Sequence, residues 1–289
     1  MTLSETAKPE ETLKGEDWAG EMGAKWLANL DRFEGMIAPI GDTLLDQAGF
    51  QPGERVLDLG CGGGATTLAI AQAVGAQGSV VGLDISPDLI NAASIRASTA
   101  GANNISFVCG DAATTKPEGA LFDRLFSRFG SMFFDDPVAA FAHLHSLLKP
   151  QAQVDLAVWA NPRDNLWMME MMGVVRSHIE IPPAVPRAPG PFAFEDLDYL
   201  REVLTNAGFG NIAVNPYTGS QPVGGAGASP VEAADFVLAA MAVGRALAEH
   251  GEKTRSAARD DLIALFEKRF IPAQGVMMAC KAWLVAAQA

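Results

Sequence analysis

From residue 18 to residue 47 apolar side chains recur every three to four positions, through Trp26, Leu30, Phe33 and Ile37, and this spacing predicts a helix with one apolar face. The period then shortens. Arg55–Leu59 is a compact apolar run closed by the cluster Gly60-Cys-Gly-Gly-Gly64, which predicts a strand entering a tight turn. Ala65–Val74 returns to helical spacing, and Ser79–Asp84 reads as a second strand. Ser86-Pro87-Asp88 favours a helix start: Ser suits the N-cap, Pro the first turn, and Asp the positive end of the helix dipole. A third strand is expected over Ile105–Cys109 and a fourth over 122–129; Asp136-Pro137 opens a helix that ends before Pro150, and 154–159 is a fifth strand. Strands alternating with helices predict a parallel, doubly wound sheet covered on both faces, with right-handed crossovers.

Beyond Trp159 the pattern loosens. Residues 161–191 hold Met-rich and Pro-rich stretches around a helix expected over Leu166–His178. A helix over 195–207 is closed by Gly208. A sixth strand follows over 212–217, a flexible loop over 219–229, helices over 231–250 and 255–270, and a seventh strand over 276–285. The whole reads as an α/β, Rossmann-like, doubly wound seven-stranded sheet with helical insertions before the first strand, after the fifth and between the last two. The chain divides into an N-terminal tail and helical cap (1–48), a Rossmann-like core (49–160), and helical lid insertions with the last two strands of the core sheet (161–289).

Composition narrows the partners. The 289 residues are 49 % apolar and 19 % charged, as in a globular protein with a sizeable core. No apolar run reaches bilayer length. The polar, acidic start reads as a solvated tail and lacks the layout of a signal peptide, so a cytoplasmic protein is expected. A net charge of −13 argues against a nucleic-acid partner, which would need clustered Lys and Arg. Cys61, Cys109 and Cys280 form no CxxC pair, so no metal site or disulfide framework is expected; Cys109 and Cys280 read as small core residues. The oligomeric state is not written in the pattern.

The chemistry concentrates in Val56-Leu-Asp-Leu-Gly-Cys-Gly-Gly-Gly-Ala65, at a strand-to-helix turn. Glycines there admit a ligand close to the main chain, and the helix N-terminus supplies free N–H groups. Asp84 ends the next strand, where a carboxylate can take ribose hydroxyls, and Asp111 follows the third in Val108-Cys-Gly-Asp-Ala112. A bare turn is one alternative. Dinucleotide binding by an oxidoreductase is another, since Gly60, Gly62 and Ala65 satisfy the looser pattern. Asp58, however, places negative charge where a pyrophosphate would approach and suits a cation better. Acids at three adjacent strand ends suit a sulfonium, two ribose hydroxyls and an exocyclic amine.

Val56 to Ala65 resembles motif I of the class I S-adenosylmethionine (SAM)-dependent methyltransferases, and Gly82-Leu-Asp-Ile-Ser86, Phe107 to Ala112, Phe122 to Phe134 and Leu147-Leu-Lys-Pro150 resemble the segments that follow it. The similarity extends from about Trp18 to the C-terminus, including Gly190-Pro-Phe-Ala-Phe194, and is close to a bacterial small-molecule, quinone-biosynthesis-like subgroup. It implies SAM as cofactor and S-adenosyl-L-homocysteine as product. It also implies main chain of Gly60, Cys61 and Gly62 beneath the methionine part, Asp58 towards its amino group, and Asp84 on the ribose. Ile85 would lie on the adenine, Asp111 and Ala112 at the adenine edge, and Ser127 beside the methionine through its main chain. The chain departs from the family after Lys149-Pro150, where Gln151-Ala-Gln153 replace the usual glycines.

The implied reaction is methyl transfer to a small, apolar or aromatic organic acceptor. Its pocket is expected from Trp26, with Trp18, and from Phe129, Met132, Trp159, Asn161, Arg163 and Trp167, with Phe192 and Phe194 closing it. The Met168–Met172 stretch would form an adaptable lid. No general base is assigned: His143 and His145 face opposite ways on a flanking helix, His250 suits a helix C-terminus, and His178, in the lid, is the outside candidate. A SAM-binding protein with other work, cyclase-like or regulatory, is the alternative on the same fold.

Overall fold

The structure is a computed structural model and describes residues 15–289; the tail expected at the start of the chain lies outside the described residues. Three helices come first: α1 (Gly15–Trp18), α2 (Glu21–Ala28) and α3 (Leu30–Ala48). Strand and helix then alternate through β1 (Arg55–Leu59), α4 (Ala65–Val74), β2 (Ser79–Asp84), α5 (Pro87–Thr99), β3 (Ile105–Cys109), β4 (Phe122–Arg128), α6 (Pro137–Ser146) and β5 (Leu148–Trp159). The remainder is α7 (Leu166–His178), α8 (Leu197–Asn206), β6 (Gly210–Val223), α9 (Pro230–Ala240), α10 (Ala242–Leu247), α11 (Glu252–Glu267), β7 (Phe270–Ile271) and β8 (Gly275–Gln288).

The strands form one sheet in the order β3-β2-β1-β4-β5-β8-β6, with β7 pairing β8. β1 to β5 are mutually parallel, and β8 inserts antiparallel between β5 and β6. The chain moves outward from β1 to β3 and then returns to β4 on β1's other side. That reversal opens a crevice at the carboxyl ends of β1 and β4, where open α/β sheets hold ligands. Fully buried Ile40 of α3, Leu57, Ile70, Phe126 and Phe141 fill the layers on the sheet, each worth about 1.5–3 kcal/mol of burial. At the opposite end of the strands Arg124 of β4 is buried between Asp155 (2.5 Å) and Glu54 (3.1 Å).

Several expectations change. The single helix over 18–47 is broken, because Asn29 turns out of helical geometry (φ −125°, ψ 25°) and its amide donates to the Lys25 carbonyl (3.0 Å). The helix over 231–250 divides into α9 and α10 at the extended Met241. β5 starts at Leu148, ahead of the expected 154, and Gln151 takes the left-handed conformation (φ 65°) where the family's glycine would relieve strain. β6 absorbs the first part of the loop expected over 219–229, pairing with β8 as far as Val223–Val276. Pro222 is tolerated because β6 is an edge strand. β7, which the sequence reading merged into a helix end, brings the described strands to eight. Cys280 is buried as expected, but Cys109 is exposed because β3 is the other edge.

Candidate functional site

The turn after β1 is built by main-chain contacts. The Gly60 and Cys61 N–H groups both donate to the Leu83 carbonyl (2.8 and 3.2 Å), drawing the loop against β2. Gly60 (φ 65°) is packed so closely that a Cβ would sit 2.6 Å from Gly130 Cα, beyond the end of β4. Gly62 (φ 53°) is different: a Cβ there would meet only Trp26 Nε1, at 3.9 Å, so its hydrogen leaves open space beside the main chain.

Asp84 locks this loop to the start of α5. Its two oxygens accept from Gly62 N–H and Ser86 N–H, each at 2.9 Å, and Ser86 in turn caps α5. A carboxylate has about four acceptor sites, so two remain for incoming hydroxyls. Burial pushes the Asp84 carboxyl above its ordinary range, and the Ser86 and Gly62 N–H groups, with the nearby Ile85 main chain, oppose it. Asp111, at the next strand end, accepts from the Ala113 N–H (2.9 Å).

Asp58 lies beneath the loop, almost wholly buried. Its Oδ2 accepts from Thr66 (2.8 Å) and Thr67 (2.6 Å) on α4, and its Oδ1 is buried with no hydrogen-bond partner. Burial pushes the carboxyl up to about 6; the Thr67 and Thr66 hydroxyls and the Arg128 charge lower it, and Asp84 raises it. Cys61 is buried, and desolvation, with Asp58 and Asp84 nearby, drives its thiol well above the ordinary value, so it is held protonated and inert.

Over this floor runs a cavity of about 540 Å³. It is lined by Gly60, Cys61, Gly62, Asp84, Ile85, Asp111 and Ala112 and by Trp18, Trp26, Phe129, Met132, Trp159 and Trp167, with Trp26 directly beside Gly62. The aromatic lining is pre-packed: Trp26 stacks on Phe33 with ring centroids 4.0 Å apart, and Phe129 on Trp159 at 4.3 Å. Phe129 holds a left-handed backbone (φ 64°), a strained position for an aromatic residue that persists only where surrounding packing imposes it. A second cavity of about 370 Å³, between α2, α10 and α11, touches none of the strand ends.

Not every expected residue reaches the cavity. Asp58 does not line it, because the first turn of α4 covers the carboxylate. Ser127 is buried with its hydroxyl donated to the Leu59 carbonyl (2.9 Å), tying β4 to β1. Asn161 is spent on capping a short turn through Arg163 N–H (3.0 Å), and neither residue lines the cavity. His178 pairs with Asp261 (2.8 Å), clamping α7 to α11 away from the site. His143 bonds the Thr115 carbonyl and His145 packs on Phe209, both framework roles. Phe194 is core, against Phe141 and Tyr199, and Phe192 sits behind Trp167. Of the methionine run, Met168 lines the cavity, Met171 and Met172 are core, and Met169 is exposed.

The sequence reading missed Glu34, Arg128, Met241 and Arg245, all of which line the cavity. Arg128 could have been found, as it stands at the end of the fourth strand. Met241 and Arg245 come from the late helices, and no local pattern marks them.

Comparison with known proteins agrees with this geometry. Residues 56–151 match the family model described as a methyltransferase domain. Aklanonic acid methyltransferase DauC of Streptomyces sp. (strain C5) is 39 % identical over 112 residues, which cover 39 % of this chain and 51 % of that protein. This chain thus spans about half the length of that relative. Demethylmenaquinone methyltransferase of Shouchella clausii is 28 % identical over 188 residues, covering 62 % of this chain and 79 % of that one. Among solved structures, phosphoethanolamine N-methyltransferase 2 of Haemonchus contortus in complex with S-adenosyl-L-methionine superposes with a TM-score of 0.56 at 16 % identity, over 97 % of this chain and 61 % of that one. The matched stretch holds the glycine turn and the acids at successive strand ends, and over it the chain is similar to the class I SAM-dependent methyltransferases.

Proposed function

We propose that this protein transfers a methyl group from SAM to a small, apolar or aromatic organic acceptor. The observation that carries the reading is one cavity lined both by acids and a glycine turn and by stacked aromatic rings. The residues fit an adenosyl amino acid. Asp84 keeps two acceptor sites for the ribose hydroxyls, Ile85 offers an apolar face, and Asp111 with Ala112 borders the adenine position. Gly62 leaves main chain bare where the amino-acid part would pass. The negative charge of Asp58 beneath the loop favours a cationic ligand over a pyrophosphate.

When bound, SAM supplies an electrophilic methyl carbon on a cationic sulfur. The chain's own contribution is alignment and the exclusion of water. Phe129, Trp159 and Trp167 form a rigid apolar wall that would hold a flat acceptor facing the glycine turn, and positioning of this kind can supply roughly 7–11 kcal/mol of the barrier. A base is needed only for an acceptor still protonated at the reaction pH. Asp135 is a carboxylate of the cavity lining, and Glu34, also in the lining, lies against Gly63 and pairs with Arg96.

The test is a panel of phenolic, quinol and enolic acceptors with methyl-labelled SAM, following S-adenosylhomocysteine release and label in the acceptor. Label passing only to protein or nucleic acid would reject the small-molecule reading. SAM bound with no methyl transferred to any member would favour a non-methyltransferase role on the same fold.

A further inference from the structure

Arg128 stands at the end of β4, one residue past Ser127 and beside the glycine turn. Its side chain lies across α3 at Gly41, where a Cβ would come within 2.7 Å of Arg128 Cδ and 2.9 Å of Nη1. A glycine inside a helix costs about 1 kcal/mol relative to alanine, and here it makes the room the guanidinium occupies. Arg128 lines the cavity, yet among the described residues its guanidinium makes no hydrogen bond and no ion pair. Burial pulls its pKa below the ordinary arginine value, while the charges of Glu34, Asp58 and Asp42 oppose that effect and Arg96 adds to it. Glu34 is engaged elsewhere, in a two-armed pair with Arg96 (2.8 and 2.9 Å). A half-buried guanidinium with five donors and no partner among the described residues is costly unless something anionic completes it.

The sheet order says where along a ligand that anion would fall. Asp111 follows β3, Asp84 ends β2, the glycine turn ends β1 and Arg128 ends β4. Neighbouring strands lie about 4.8 Å apart, so this row spans about 14 Å. Hydroxyl and amine acceptors occupy one end, and an unpartnered cation the other. Beneath the β1–β4 end lies Asp58, with its own unpartnered oxygen. Negative charge below and a guanidinium beside the turn complement the two charges of an α-amino acid.

We propose that Arg128 is the carboxylate-binding residue of this site and takes the α-carboxylate at the methionine end of SAM. This rests on the adenosyl reading given above. It assigns Arg128 a binding role separate from the ribose contact of Asp84, and it explains why the guanidinium is left open towards the cavity.

Calorimetry with two ligands tests it. S-adenosylhomocysteine carries the carboxylate; methylthioadenosine keeps the adenosyl sulfur and lacks the amino-acid end. Arg128→Ala should weaken S-adenosylhomocysteine about 10- to 100-fold, as expected for hydrogen bonds to a charged group, and leave methylthioadenosine unchanged. Arg128→Lys should recover part of the loss. An equal loss for both ligands would show damage to the turn and overturn the assignment. Unchanged S-adenosylhomocysteine affinity with a raised KM for the acceptor would overturn it in favour of an anionic acceptor. Should Arg128→Ala fail to fold, Arg128→Met and decarboxylated SAM serve instead. The native protein should discriminate against the decarboxylated cofactor by the same factor and Arg128→Met should not; equal discrimination by both overturns the proposal. A native protein that binds none of these adenosyl compounds would overturn the adenosyl reading itself, a result distinct from all the others.

Discussion

Replacing Asp58 with asparagine should stabilise the ligand-free protein at neutral pH while weakening its hold on a cationic ligand. Burial lifts this carboxyl from the ordinary 3.8 to about 6, against the two threonine hydroxyls and Arg128 that lower it. The folded state therefore binds the proton more tightly than the unfolded chain. The stability linked to that proton is fully present below the unfolded value, is lost as pH rises between the two values, and is gone above the folded one. The ionised carboxylate at neutral pH then costs about 3 kcal/mol relative to the protonated form. Asparagine keeps the shape and one acceptor for Thr66 and Thr67 but leaves a buried N–H2 where Oδ1 already lacks a partner, a penalty of about 1–2 kcal/mol. The net expectation is a variant more stable by about 1–2 kcal/mol at neutral pH, with the advantage shrinking towards acid. Equilibrium urea unfolding of both proteins from about pH 5 to about pH 8, with equal m values, reads the difference directly. A gap that stays flat with pH, or widens towards acid, would refute the reasoning.

Other outcomes follow from the same geometry. Asp84→Ala should reduce S-adenosylhomocysteine affinity at least about tenfold in calorimetry, because a charged acceptor is lost from the ribose position; unchanged affinity would remove that role. Gly60→Ala places a Cβ 2.6 Å from Gly130 Cα in a left-handed residue, so thermal unfolding should show a loss of about 2–4 kcal/mol; a native-like melting temperature would contradict the packing. Arg124→Met strands Asp155 and Glu54 at the far end of the strands and should cost about 3–5 kcal/mol in urea, with S-adenosylhomocysteine affinity unchanged in the folded protein.

The part of the cavity around the glycine turn was legible in the chain because it is built locally. The glycine turn, Asp84 and Ser86 act through bonds to main chain a few residues away or on the neighbouring strand, and their spacing follows from strand, turn and helix lengths. β1, α4, β2, β3 and α7 begin and end where periodicity and capping chemistry place them. Elsewhere local pattern was insufficient. β5 and β6 run longer than their hydrophobic cores because pairing with β8 rewards extended backbone even through Pro150, Gln151 and Pro222. His178 and Asn161 carry the right chemistry but are claimed by Asp261 and by a turn, partners that only folding supplies.

The amino-acid sequence alone determined the alternation of strands and helices, the glycine turn and the acids at successive strand ends, since each depends on residues close together in the chain. Only the tertiary structure decided which side chains share the cavity. Trp26 of α2, Arg128 of β4, Trp159 of β5 and Met241 before α10 converge there from four distant segments. It also decided that Asp58 is buried beneath the loop while Arg128 lines the cavity with no partner among the described residues. Burial and the pairing of charges are properties of packing between remote elements, and no window of sequence contains them.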